Sequence, residues 1–279
     1  MRARKLLRPT NLFWMMMEYI SVPRWSKVLL QISGLLFIIL LWELVTGVFH
    51  VFKWIVLPPP TDVFLTMFSM ALDGSLFINA GWSLLRVLLG FLVASAVAVP
   101  LGVAMGWLPE LSYIVDPIVE VIRPIPPIAW IGLALLWFGI GINSAIFLVF
   151  IGAFFPILLN TIAGVRNVEK RLIEVAYTFG ASDWEVLRKV VIPAASPTIF
   201  TGMRVGMGIG WMCVVAAEMI AVKFGLGNMI LEGSNLLQTD VVMVGMITIG
   251  FMGLAINVVF QAVGSRLFRW QQGIGREVA

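Results

Sequence analysis

Residues 84–107 read LLRVLLGFLVASAVAVPLGVAMGW. After Arg86 no charged side chain interrupts the stretch, and its length matches the ~20 apolar residues with which a helix crosses about 30 Å of hydrocarbon. Blocks of the same kind recur at 28–49, 144–165, 197–222 and 241–260, with a weaker one at 118–140. The sequence therefore predicts an all-α, polytopic membrane protein with about six transmembrane helices. Composition agrees: 60% of the 279 residues are hydrophobic and 12% are charged, where a soluble domain carries about 25% charged residues. Glu120, Arg123, Pro124, Pro126 and Pro127 interrupt the weak block, so a short or broken helix is expected there, with 128–140 as its membrane part. The block at 28–49 follows a basic start but contains Glu43 and lacks a small-residue cleavage pattern, and it reads as a retained span. Between the first two blocks, Leu57-Pro58-Pro59-Pro60 is a stop, and Thr61-Asp62 is a cap for an amphipathic helix from Val63 along the membrane surface.

Positive side chains are held on the cytoplasmic side of a membrane. With the N-terminus inside, cytoplasmic segments collect Arg2, Arg4, Lys5, Arg8, Arg24 and Lys27, then Arg166, Lys170, Arg171, Arg188 and Lys189, then Arg266, Arg269 and Arg276. The outer loops hold only Lys53 and Lys223. Both termini are therefore expected in the cytoplasm, with a cytoplasmic segment 1–27, a transmembrane domain 28–265 and a cytoplasmic tail 266–279. Arg86, Arg123 and Arg204 fall at or near span ends, where long side chains snorkel to a polar surface. The formal charge of +4 has this membrane explanation, and no nucleic-acid partner is expected from a chain without a soluble basic face. One cysteine, Cys213, and one histidine, His50, leave no intramolecular disulfide and no clustered zinc site.

The longest inner loop, 166–196, is too organised for a plain connector. Its first helix spans 168–179 and ends at Gly180, suited to the left-handed residue that closes a helix without a Cβ penalty. A second helix starts at Ser182, where Glu185 completes a capping box, and Pro193 is read as its stop. Ser196-Pro197 then repeats a start signal for the fifth span, a capping hydroxyl followed by proline at the first helical position. On residue chemistry alone the loop is either an amphipathic pair resting on lipid headgroups or a docking element.

The pattern Glu174-x-Ala176-x3-Gly180, followed by Ile192-Pro193, resembles the EAA signature of importer permeases of the ATP-binding cassette (ABC) class. Val175 stands for the first alanine, Val190 for the isoleucine and Ile192 for the leucine. Leu57-Pro58-Pro59-Pro60, Arg123-Pro124-Ile125-Pro126-Pro127-Ile128-Ala129-Trp130, Trp137-Phe138-Gly139-Ile140-Gly141, Thr201-Gly202-Met203-Arg204, Ala216-Ala217-Glu218 and Gln238-Thr239-Asp240 extend the likeness over 29–269. They resemble the nitrate, sulfonate, taurine and bicarbonate group, and the wording around Arg123 and Trp137 is most similar to taurine and aliphatic-sulfonate permeases.

That resemblance implies a type I importer fold with a cytoplasmic coupling-helix loop, and a homodimer of this chain in the inner membrane of a prokaryote. It implies two ATP-binding cassette subunits that bind ATP and magnesium, and an extracytoplasmic solute-binding protein. Glu174, Ala176, Gly180, Ala181, Ser182 and Asp183 would then couple to the ATP-binding subunit, Glu174 by a polar contact and Gly180 by permitting a sharp turn. The implied cargo is a small anion such as taurine or an alkanesulfonate, with nitrate, bicarbonate or a pyrimidine-like solute as alternatives. Neither a Gly-x4-Gly-Lys-Ser/Thr phosphate loop nor a Gly-Lys dipeptide occurs, so the chain has no recognisable nucleotide site and is not expected to be an enzyme or to hold a cofactor.

In the fifth span Gly202, Gly206, Gly208 and Gly210 permit close helix approach, with packing inside one subunit, a dimer contact and pathway lining all open. Arg204, about 10 Å along the helix from Pro197, snorkels or pairs with a carboxylate. Glu218, about 21 Å further on, lies near Lys223 and the outer surface and reads as an ion-paired structural residue, because a bare carboxylate repels an anion. Trp130, Trp137 and Trp211 are candidates for pathway lining or for interface anchoring. Met207, Met212 and Met219 read as packing, and Asn160 and Asn257 as groups that bond across helices. An ion-coupled secondary transporter would need midplane carboxylates and repeated halves, and neither pattern is present.

Overall fold

The computed structural model describes residues 24–268, with side chains from residue 33 onward except residue 35. Most of the predicted segment 1–27, and the tail from residue 269, lie outside the described residues. The chain falls into two compact units, 1–61 and 62–279.

In the first unit α1 (Arg24–Glu43) runs into a π turn (Leu44–Val48), on the first predicted span. Its acid has a local purpose. The Glu43 carboxylate accepts hydrogen bonds from the Thr61 backbone N–H and from the Thr61 hydroxyl, both at 3.2 Å. Thr61 lies in the first turn of α2 (Pro60–Leu72), so the carboxylate meets N–H groups that a helix start leaves unpaired. The helix begins at Pro60 rather than at Val63, since proline loses nothing at a first helical position.

The second unit continues with α3 (Ser75–Trp107), α4 (Pro109–Ile122), a 3-10 turn (Pro127–Trp130), α5 (Ile131–Phe138) and α6 (Ile142–Arg166). It then holds α7 (Lys170–Thr178), α8 (Asp183–Val186), a π turn (Leu187–Val191), α9 (Ile192–Ala221), α10 (Leu226–Asn235) and α11 (Thr239–Leu267). Among the described residues, α3, α6, the run Asp183–Ala221 and α11 are long and apolar enough to cross a membrane. The third predicted span is a pair of limbs, α4 and Pro127–Phe138, bent by 86°. The break falls where Pro124, Pro126 and Pro127 withhold backbone donors, and the first limb starts upstream of the expected residue 118. The protein is thus all-α and polytopic.

Glycines set how its central helices meet. A Cβ on Gly90, Gly102 or Gly106 of α3 would collide with Val149, Thr161 or Val165 of α6. Gly202, Gly206 and Gly210 of α9 meet Asn160, Ile157 and Val149 of α6, Val149 being shared with the α3 contact. Backbones this close gain dispersion contacts, which drive helix association where the solvent is itself apolar. Gly208, on a different side of α9, has nothing within 4 Å. Gly206→Ala is therefore expected to lower the melting temperature in detergent, since its Cβ would sit 2.8 Å from Ile157 Cγ1 and 2.9 Å from the Ala153 carbonyl oxygen. Overpacking of about 1–3 kcal/mol outweighs the ~1 kcal/mol gained in helix propensity. Gly208→Ala should leave the melting temperature level or raised, and equal values for the two variants would show that the α6–α9 contact is loose.

Two proline readings are corrected. Pro193 does not stop a helix and Ser196 does not start one, for Asp183–Ala221 is a continuous helical run of 39 residues. The π turn ends directly before Ile192, and such a widened turn relieves the clash of a proline ring with the preceding carbonyl. Ser196 Oγ donates to the Pro193 carbonyl at 2.8 Å, the acceptor that the missing N–H of Pro197 leaves unpaired. Asn160 also turns back on its own helix, its Nδ2 donating to the Pro156 carbonyl at 2.8 Å, and among the described residues it does not bond across helices.

Candidate docking loop and pathway face

The turn after α7 is built from its own backbone. Gly180 has φ +80°, its N–H donates to the Tyr177 carbonyl at 2.9 Å, and the Ala181 N–H donates to the Ala176 carbonyl at 3.2 Å. This pair of bonds is the Schellman closure, which requires a left-handed residue where Gly180 stands. The next helix starts at once with a capping box, the Ser182 N–H donating to Glu185 Oε2 at 3.2 Å. Tyr177 Oη donates to Asp183 Oδ1 at 2.9 Å and ties the two helices together, which holds the phenol above its ordinary pKa.

One side of this element is anchored and the other is open. Val186, Leu187, Val191 and Ala195 pack with Val165 and Val168, and Ile173, Ala176 and Ala181 lie against them. Glu174, Gly180, Ser182 and Asp183 are exposed. The six predicted coupling residues thus divide, Ala176 and Ala181 seating the loop and the other four presented outward. Two residues that sequence reasoning passed over stand out beside them, Phe179 at 87% exposure and Trp184 at 65%. Their signal was aromatic side chains flanking a left-handed glycine on a polar loop.

Glu218 is buried at 0% side-chain exposure, 2.7 Å from Arg86 Nη1, whose side chain is 5% exposed. Ser83 Oγ donates to it at 2.8 Å and the Gly227 N–H at 3.0 Å. Arg86 Nη1 also donates to the Phe224 carbonyl at 2.6 Å, and the Gly225 N–H donates to Asn79 Oδ1 at 2.9 Å. Arg86 therefore does not snorkel to a span end. It is drawn inward because a buried carboxylate and a turn carbonyl together replace its water. The cluster fastens the 222–227 turn to α3.

Along α9, Gly206, Gly210 and Trp211 are buried with Glu218, and Trp211 Nε1 donates to the Ile249 carbonyl of α11 at 3.2 Å. Of the five residues expected in packing or pathway roles, Arg204 alone is exposed, and its Nε donates to Asn257 Oδ1 at 2.9 Å. Thr201, Arg204, Val205, Gly208 and Met212 form an open stripe on α9, turned away from the α6 contact. Further along, Met212, Cys213 and Ala216 line an apolar cavity of about 310 Å³ with Pro126, Pro127 and Ile128 of the broken segment. Trp130 packs edge-on against Phe147, while Trp137 is exposed.

The sequence profile described as the binding-protein-dependent transport system inner membrane component matches residues 98–271, from within α3 through the broken segment and the 166–196 loop to just past the end of α11. The chain belongs to this permease family. The permease is 45% identical over 252 residues to a putative ABC transporter permease of Methanocaldococcus jannaschii, covering 88% of this chain and 94% of that one. It is 36% identical over 253 residues to the taurine transport system permease protein TauC of Escherichia coli, covering 89% and 92%. Its fold is similar to that in the inward-facing MetNI methionine ABC transporter, with a TM-score of 0.55 and 19% identity over 66% of this chain and 94% of that chain. The permease is thus a membrane-embedded transport component.

Proposed function

We propose that this permease forms the inward pathway for a small oxyanion, a sulfonate of the taurine kind, and that residues 174–184 seat in a groove of a separate ATP-hydrolysing subunit. The observation that carries the docking reading is the union of an exposed, backbone-locked turn with a long helix. At 1.5 Å per residue the 39-residue run is roughly 58 Å long, about twice the ~30 Å of hydrocarbon. A push on the turn therefore reaches the pathway face through one helical body. The basic residues of 166–196 favour a cytoplasmic loop and cytoplasmic termini. Exposed Leu136, Trp137, Ile140 and Met212 favour a second copy of the chain beside the broken segment.

The cargo reading rests on the name of the taurine relative and on a cation, Arg204, in the open stripe of α9. Nitrate or bicarbonate would use the same machinery. The experiment pairs binding with uptake. Glu174→Arg should insert normally yet retain less than a tenth of the co-purifying ATP-binding subunit, and should lose uptake of radiolabelled taurine in proteoliposomes supplied with the binding protein. Full retention and uptake would refute docking through Glu174, and wild-type uptake of nitrate but not taurine would replace the cargo.

A further inference from the structure

The Pro197 end of α9 faces the Leu267 end of α11 across a crevice. The crevice between them, of about 360 Å³, is lined by Thr201, Arg204, Gln261, Ser265 and an aromatic wall. In that wall Phe200 lies 5.6 Å from Phe260 and 5.5 Å from Phe268, centroid to centroid. Gly264 lets α11 approach Phe200 closely, since a Cβ there would stand 2.8 Å from the ring.

Two of the four polar side chains in the crevice are committed. Thr201 Oγ1 donates to the Pro197 carbonyl at 2.9 Å and Ser265 Oγ to the Ala262 carbonyl at 3.0 Å, so neither hydroxyl offers its proton to a ligand. Arg204 and Gln261 are the exceptions. The Arg204 Nε is held by Asn257, which fixes the guanidinium plane, and among the described residues no carboxylate lies within ion-pair distance of it. Among the described residues neither terminal nitrogen has a hydrogen-bond partner, so both remain available as a fork of donors. A guanidinium on an apolar helix is costly unless something neutralises it, and a planar fork matches two oxygens of a tetrahedral anion.

We propose that this crevice is an oxyanion site, in which the terminal guanidinium nitrogens of Arg204 grip two oxygens of a phosphate or sulfonate. The Gln261 amide donates to a third oxygen, and the Phe200–Phe268 wall receives the apolar stem. Two sources share this chemistry. One is an anionic phospholipid, whose acyl chains would run along exposed Val259, Val263 and Leu267 of α11. The other is a free oxyanion.

The proposal shares Arg204 with the cargo reading, and its test uses the full-length chain in nanodiscs and reads binding without transport, so that its failure is distinguishable from a failure of uptake. Wild type, Arg204→Gln, Arg204→Lys and Gln261→Leu are compared after their melting temperatures in phosphatidylcholine discs are matched. Retention of phosphatidylglycerol over phosphatidylcholine is counted by native mass spectrometry. Stabilisation by inorganic phosphate and by methanesulfonate is measured in phosphatidylcholine alone. A fall in phosphatidylglycerol retention of about tenfold in Arg204→Gln, smaller in Arg204→Lys, supports a headgroup in the site. Loss of phosphate or methanesulfonate stabilisation in Arg204→Gln supports a free oxyanion. Should Arg204→Gln fail to fold, exposed Gln261→Leu carries the test, with a severalfold loss expected. Wild-type behaviour of the folded variants in both measurements overturns the site.

Discussion

Glu218→Ala should cost about 3–5 kcal/mol, the loss typical when one partner of a buried ion pair is removed. Arg86 would keep its charge at 5% side-chain exposure with the Phe224 carbonyl as its remaining hydrogen-bond acceptor among the described residues, the Gly227 N–H would lose its acceptor, and the Ser83 hydroxyl would be left with the Asn79 carbonyl. The expected result is a large fall in melting temperature in detergent and a drop in membrane-inserted protein. Arg86→Met should be nearly as damaging, because it strands the carboxylate. The double variant Arg86→Met with Glu218→Leu should recover part of the loss, since apolar residues often replace a buried pair without penalty. Recovery stays partial, as the 222–227 turn has lost its ties. A double-mutant cycle giving less than about 0.5 kcal/mol of coupling would mean that the two residues act separately.

Gly180→Val should abolish uptake while leaving insertion intact. The reason is backbone conformation rather than space. A Cβ at Gly180 meets nothing within 4 Å, yet φ is +80°, where a β-branched residue is strained by about 1–3 kcal/mol. The turn is exposed, so relief comes by unwinding the Schellman closure locally, which would scatter Glu174, Phe179 and Asp183 without touching the membrane core. Gly180→Asn separates the two effects, for asparagine tolerates the left-handed region and should keep most of the uptake. Uptake at the wild-type level in Gly180→Val would show that the turn geometry does not transmit the drive.

How much of this was legible beforehand depended on range. Gly180 and the Ser182–Glu185 box were readable because every bond that makes them lies within a few residues. The break near Arg123 was readable because prolines lack a donor wherever they stand. Pro193 misled because local grammar treats proline as a stop, whereas the widened turn before it and the burial of Val186, Val191 and Ala195 keep the helix going. Asn160 and Ser196 were readable as polar groups in helices, but not as the residues that occupy carbonyls within their own helices.

Apolar blocks of membrane length and a capped, glycine-closed turn settle by themselves that the chain is a polytopic helical protein with an organised loop between two of its spans. They do so because hydrophobic length and capping are properties of contiguous residues. Which charged side chains turn inward was decided only in three dimensions. Arg86 and Glu218 stand 132 positions apart, and a charge in an apolar helix looks the same whether it ends in water or against a carboxylate. Burial became tolerable for both only when α3, α9 and the turn after it brought opposite charges and free backbone groups to one place.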